Sequence, residues 1–279
     1  DGVASYVEFS LQRCSEVDEG DEACSTLRIW QAAEDGIGFQ VWSAALALAR
    51  YLEASRSLAS LRVLELGCGP GLLGIACAHL GASVTLTDKE CVLPLTRKNV
   101  DCNPVPPGRT IGAVQVRELA WGSDVQEPWC GCFDLVLGSD LTYFEHLLEP
   151  LLVSVLQVAT EGTEVLLAHA HRHASEVRWQ DLFGDHFDIR LVERREPGFE
   201  MARRMRIGGH VDSEPYGAAQ ESVPVSIFQL RLKDATASRE QLARLLRAQR
   251  AQDADSLLRR IDQMERDLEL MQHDEEGMD

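Results

Sequence analysis

The residues with the clearest chemical potential begin at Gly67-Cys68-Gly69-Pro70-Gly71, which directly follows the apolar run Leu61-Arg62-Val63-Leu64-Glu65-Leu66. Glycines at these positions permit a tight turn and remove Cβ atoms, so a ligand can lie against the backbone while the next helix presents its N-terminal amides. Asp88 ends the following apolar stretch, where its two carboxylate oxygens could hold the two hydroxyls of a ribose. Gly69-x-Gly71-x-x-Gly74 also satisfies the dinucleotide-binding pattern, so the loop alone leaves two cofactors open, a nicotinamide dinucleotide and S-adenosylmethionine. Read from Gly67, the first glycine after the strand, the dinucleotide register fails at Leu72. Asp88 serves either cofactor. The run Phe133 to Asp140 ends in Ser139-Asp140, an acid emerging beside the place a transferred group would occupy. Together these features favour S-adenosylmethionine.

The other reactive side chains have plainer readings. Trp42 and Trp121 could be core aromatics, Tyr143 could pack beneath the helix after it, and a lone strand-end acid such as Asp140 is more often a helix N-cap than a catalyst. The series His169-Ala170-His171-Arg172-His173 puts imidazoles on one face of an extended segment, yet no carboxylate or cysteine nearby has metal-ligand spacing. Cys130-Gly131-Cys132 reads as two thiols in a turn, and Arg203 to Arg206 as a cationic loop.

The elements that must position these residues follow from periodicity. Apolar residues Val41, Ala45, Leu48, Ala49 and Leu52 predict an amphipathic helix. Beyond Leu61 the chain alternates strand and helix: helices over 72–80, 92–100 and 147–159, and strands over 83–87, 113–118, 133–137 and 164–168. That alternation implies right-handed crossovers and a parallel sheet with helices on both faces. In such a sheet a ligand binds beyond the carboxyl ends of the strands, where Gly67 to Gly71, Asp88 and Asp140 fall. Further on, a short helix at 179–183, a strand at 188–193 and a final strand at 223–232 predict an antiparallel closing hairpin, with 196–221 a long loop. The first 29 residues read as a β-ribbon around the acidic run Glu16 to Glu22, and Leu257, Ile261, Met264, Leu268 and Met271 mark a helical tail with about two heptads of seam.

Composition narrows the classes. The 279 residues suffice for one sizeable core, and the net charge of −18 opposes nucleic-acid binding. Eight scattered cysteines without a CxxC pair read as reduced intracellular thiols. No apolar stretch is long enough to span a membrane, and none precedes the first strand as a signal would.

The segments Val41-Trp42-Ser43-Ala44-Ala45, Glu65 to Gly71, Thr87-Asp88, Leu119-Ala120-Trp121-Gly122 and Asp140-Leu141-Thr142-Tyr143 with Leu148 to Leu152 occur in an order that resembles the seven-β-strand protein-lysine methyltransferases. The similarity is greatest to the branch acting on the valosin-containing protein and Hsp70, and covers roughly residues 25 to 233. It implies a Rossmann-like α/β fold with a seven-stranded, mostly parallel sheet. The expected domains are an N-terminal extension (1–29), a methyltransferase domain (30–233) and a helical acidic tail (234–279).

The resemblance also implies that S-adenosylmethionine is held by Trp42, Glu65, Gly67, Cys68, Gly69, Asp88, Trp121 and Ser139, and that Asp140 and Tyr143 border the acceptor lysine. The loop departs from relatives at Cys68 and Pro70, and the later strand end departs at Ser139. A protein substrate is expected, a chaperone or an AAA ATPase, in the cytoplasm or nucleus, with the tail available for a protein contact and no metal, nucleic acid or membrane involved. A small-molecule methyltransferase and a non-catalytic binding module of the same fold are the alternatives.

Overall fold

The computed structural model describes residues 5–12, 26–104, 113–123, 125, 129, 132–171, 175–196, 207–208 and 223–247. The acidic run 16–22, Cys130, Gly131, His173, Arg203 to Arg206 and the seam 257–271 lie outside the described residues. The chain divides into two compact units, Asp1–Ala235 and Thr236–Asp279. In the second, residues 236–247 are helical.

In the first unit the element order is β1 (Ser5–Ser10), β2 (Thr26–Gln31), α1 (Ser43–Ser55), β3 (Arg62–Leu66), α2 (Leu72–His79), β4 (Ser83–Asp88), α3 (Leu93–Cys102), β5 (Val114–Glu118), β6 (Leu135–Ser139), α4 (Leu148–Val158), β7 (Glu164–Ala170), α5 (Ser175–Gly184), β8 (Phe187–Arg195), β9 (Ile207–Gly208) and β10 (Val225–Leu232). Two 3-10 turns, Ala33–Asp35 and Ile37–Phe39, precede α1. The main sheet has the order β5-β4-β3-β6-β7-β10-β8, and β10 runs antiparallel to both of its neighbours while the other pairs are parallel. The closing hairpin therefore folds back inside the sheet, with β10 between β7 and β8.

Central strands buried on both faces read as continuous apolar runs. All seven residues of β7 are buried, as are Val63, Leu64, Glu65 and Leu66 of β3. Helix α2 is buried on every side, whereas α3 buries only Leu93, Thr96 and Asn99. Pro94 sits in the first turn of α3, where its missing N–H breaks no helical bond.

Strands β1 and β2 form the expected antiparallel ribbon, with Val7 opposite Ile29. The segment read as a long loop contributes Ile207–Gly208 as a third strand on the other side of β1. A two-residue strand is too short to leave a periodic signal. The free edge of β2 is met by side chains of α3: Asn99 Oδ1 accepts from Trp30 N at 2.8 Å and its Nδ2 donates to Trp30 O at 3.0 Å, while Asn103 does the same for Arg28 at 2.8 and 2.9 Å. Two asparagines one turn apart thus satisfy two strand residues two apart. The strand period of 2 and the helix period of 3.6 make this match possible.

Candidate active site

The chain runs from β3 out to β4 and β5 and then returns to the other side of β3 as β6, so β3 and β6 flank the switch point of the sheet. Register aligns their ends. Leu66 pairs with Thr87 on one side and Gly138 on the other, which puts Gly67 level with Asp88 and with Ser139. Gly67 has φ +59°, and a Cβ there would lie 2.7 Å from Leu141 Cδ2 and 2.8 Å from Trp121 Cζ2. Only glycine lets the Trp121 ring close down on the loop.

The loop is tied from two elements. Cys68 N donates to Thr87 O at 2.9 Å and Gly69 N to Asp88 Oδ2 at 2.8 Å. From α3, Thr96 Oγ1 donates to Gly69 O at 2.7 Å and Asn99 Nδ2 to Pro70 O at 2.9 Å. Lys89 N donates to Asp88 Oδ1 at 2.8 Å, so each carboxylate oxygen of Asp88 takes one backbone N–H. Burial raises the Asp88 carboxyl above its ordinary value, opposed by these two bonds and by the Lys89 charge.

Glu65 stands behind this loop and does not line the cavity. It is 1% exposed, and its Oε2 accepts from Gly74 N at 2.8 Å. Gly74 is the third residue of α2, whose N-cap, Gly71, has no side chain, so Glu65 supplies the missing acceptor from the preceding strand. A Cβ at Gly74 would fall 2.1 Å from Leu86 Cδ2, which explains how α2 can lie directly against the sheet.

At the end of β6, Asp140 has φ +53°, a left-handed conformation that aspartate tolerates better than most residues. Its N donates to Ala168 O at 2.9 Å, and Ala170 N donates to its Oδ1 at 2.8 Å. Tyr143 is half-buried, its hydroxyl held above the usual phenol range by burial and by the negative charge of Asp88. Its ring stands 4.7 Å from that of Phe144, which is 46% exposed. Trp42, the residue preceding α1, donates from Nε1 to Ile37 O at 3.0 Å and so pins the 3-10 turn.

These groups surround one cavity of about 460 Å³ with mostly apolar walls. Its lining brings together nine of the ten expected site residues: Trp42, Gly67, Cys68, Gly69, Asp88, Trp121, Ser139, Asp140 and Tyr143. Ile37, Lys89 and Phe144 also reach it without having been anticipated, because exposed side chains of turns carry no periodic mark. Thr96 and Asn99 were missed as well. Polar residues on the buried face of α3 were the available signal, since buried polar groups require partners. His169 faces Thr142 in the core and His171 Nε2 lies 2.7 Å from Ser226 Oγ. Among the described residues no group of histidine, cysteine and acidic side chains is placed to hold a metal ion.

The sequence profile of the lysine methyltransferase family matches residues 21–184, which include the whole cavity. The chain belongs to the lysine methyltransferase family. It is 39% identical over 158 residues to protein N-lysine methyltransferase METTL21A of Danio rerio, covering 56% of this chain and 72% of that protein. Over 164 residues it is 37% identical to EEF1A lysine methyltransferase 3 of Mus musculus, covering 58% and 68%. This lysine methyltransferase is a protein-lysine N-methyltransferase that uses S-adenosylmethionine. Its cavity suits that cofactor: each Asp88 oxygen keeps a lone pair for a ribose hydroxyl, the Trp121 ring packed on the bare Cα of Gly67 offers a flat wall, and the volume is that of a small-molecule site. Among the described residues no helix is long and apolar enough to cross a membrane.

Proposed function

We propose that the two ends of this cavity divide the work of lysine methylation. At one end Asp88 accepts the ribose hydroxyls, Trp42 and Trp121 flank the adenosyl group, and the Gly67-Cys68-Gly69 backbone with Ser139 lines the rest of the cofactor. Glu65 serves that end from behind, by holding the first turn of α2. At the other end Asp140 and Tyr143 border the acceptor lysine.

When bound, S-adenosylmethionine supplies an electrophilic methyl group on a sulfonium. Transfer to an amine is an in-line displacement, so the protein acts mainly by positioning and by placing charge. A lysine ammonium titrates near ~10.4 in water and must lose its proton before it can attack. The apolar cavity walls favour the neutral amine by desolvation. Asp140, with Oδ1 already taking the Ala170 N–H, is suited to accept a hydrogen bond from the amine and orient it rather than to act as a strong base. Tyr143 supplies a channel wall and a hydroxyl. The observation that carries this reading is the level alignment of Gly67, Asp88 and Ser139-Asp140 on adjacent strands facing one cavity.

Asp140→Ala is expected to reduce methylation at least about a hundredfold while S-adenosylmethionine affinity survives. Labelled methyl transfer into lysate protein and calorimetry measure the two. An active Asp140→Ala enzyme removes Asp140 from its proposed role.

The substrate itself is proposed as a chaperone or AAA ATPase in the cytoplasm or nucleus, from the family branch that the motifs resemble. One relative, by its name, acts on EEF1A, so an elongation factor is the competing class. Mass spectrometry of lysate incubated with enzyme and isotopically labelled cofactor, searching for modified lysines, decides between them. We propose further that residues 30–233 carry the chemistry and that the tail from 234 offers a separate protein contact.

A further inference from the structure

The segment carrying Asp140 and Tyr143 contains a buried polar contact whose two residues do not line the cavity. Thr142 is 2% exposed, and its Oγ1 lies 2.8 Å from Nδ1 of His169, which is 3% exposed. The His169 ring is wedged between aromatics, with its centroid 4.6 Å from that of Trp179 and 5.7 Å from that of Phe228. Among the described residues its buried Nε2 meets no hydrogen-bond partner. Burial, with the neighbouring His171, pushes its pKa down to about 3, so the ring is neutral at any pH where the enzyme would work. A neutral, fully buried imidazole with a single polar contact leaves an unsatisfied nitrogen in an apolar core, and such a group costs stability. Phenylalanine would fill the same aromatic nest without that penalty. The contact to Thr142 is what the imidazole adds.

What that contact holds is the strained turn after β6. Asp140 adopts φ +53°, and non-glycine residues persist there only when their surroundings over-determine them. Three tethers to the end of β7 do so: Asp140 N to Ala168 O at 2.9 Å, Ala170 N to Asp140 Oδ1 at 2.8 Å, and Thr142 to His169. The first two fix the backbone and carboxylate of Asp140. The third acts beyond it, on the residue adjoining Tyr143.

We infer that Thr142 and His169 are a positioning pair for methyl transfer, setting the distance between the Asp140 carboxylate and the Tyr143 ring at the acceptor end of the cavity. The inference rests on the proposed roles of Asp140 and Tyr143. It predicts that breaking the contact loosens the acceptor end while the cofactor end, held by Asp88, Thr96 and Asn99, stays intact.

The test uses full-length enzyme, labelled S-adenosylmethionine at saturation and whole-cell lysate protein as methyl acceptor. Thr142→Val removes the hydroxyl at nearly constant volume, and His169→Phe removes the nitrogen while keeping the ring packing, so at least the second variant is expected to fold as well as wild type. Each should lower the methylation rate roughly tenfold or more, with the cofactor dissociation constant changed less than about twofold. Thr142→Ser, which keeps the hydroxyl, should recover most of the rate. The Thr142→Val/His169→Phe double variant should lose no more than either single one, because both remove the same contact.

Wild-type rates in His169→Phe, or losses in the double variant that multiply, overturn the inference, as does a Thr142→Ser enzyme no better than Thr142→Val. Asp140→Asn and Tyr143→Phe run alongside separate the two levels. If these retain full activity, the acceptor-end reading has failed; if they lose activity while Thr142→Val and His169→Phe do not, only the positioning pair has.

Discussion

At the scale of single residues, the site depends on a few side chains whose surroundings change their chemistry. Glu65 is the clearest case. Burial, with a smaller contribution from the charge of Asp88, raises its carboxyl from 4.5 to about 8 against the stabilising Gly74 N–H. Between those values the folded chain keeps a proton that the unfolded chain has released, so each step up in pH favours unfolding. Stability owed to the neutral carboxyl is complete below pH 4.5 and is lost as pH rises through about 8. The melting temperature of wild type relative to Glu65→Gln is therefore expected to fall across that window and to level above it. A pH-independent difference between the two proteins contradicts the assignment. That an acid would stand at residue 65 was legible from the strand leading into the glycines. That it caps α2 through Gly74 rather than lining the cavity was not, because the same residue type at a strand end serves either purpose.

At the scale of elements, α3 joins the ribbon to the cofactor loop. Asn99 is fully buried and bonds to Trp30 of β2 and to Pro70 of the glycine loop, segments far apart in the chain. Asn99→Ala leaves the Trp30 amide and two carbonyls without partners. The expected loss is about 2–3 kcal/mol of stability, read from denaturant unfolding, accompanied by weaker cofactor binding as the loop loosens. Retention of wild-type stability and affinity argues against the coupling. Asn103→Ala touches the ribbon at Arg28 and makes no bond to the loop, so it should lower stability and spare cofactor affinity. The strands and helices themselves were largely legible, since apolar runs and helical stripes are local signals. The β10 insertion between β7 and β8 was legible only as an antiparallel closing strand, and β9 was invisible at two residues.

At the scale of the whole molecule, the net charge of −18 predicts how a protein substrate would approach. The chain carries 27 basic against 45 acidic side chains, and Asp35, Asp88 and Asp140 line the same cavity. A lysine-bearing, locally basic protein surface would be drawn toward such a field, and salt screens that attraction. Raising ionic strength should increase the apparent KM for the protein substrate several-fold while leaving the rate at saturating substrate nearly constant. A KM independent of salt assigns the acidity to solvation alone. What the sequence alone determined is what depends on neighbours along the chain: the alternating strands and helices, the glycine turn, and the acids and aromatics at strand ends whose order marks a lysine methyltransferase. Strand pairing decided the rest. Whether Gly67, Asp88 and Ser139 stand level, whether Asn99 bridges β2 to the glycine loop, and whether His169 holds Thr142 instead of a metal depend on partners far away along the chain. A buried polar side chain shows that it needs a partner but not which one, and only the packed sheet supplies it.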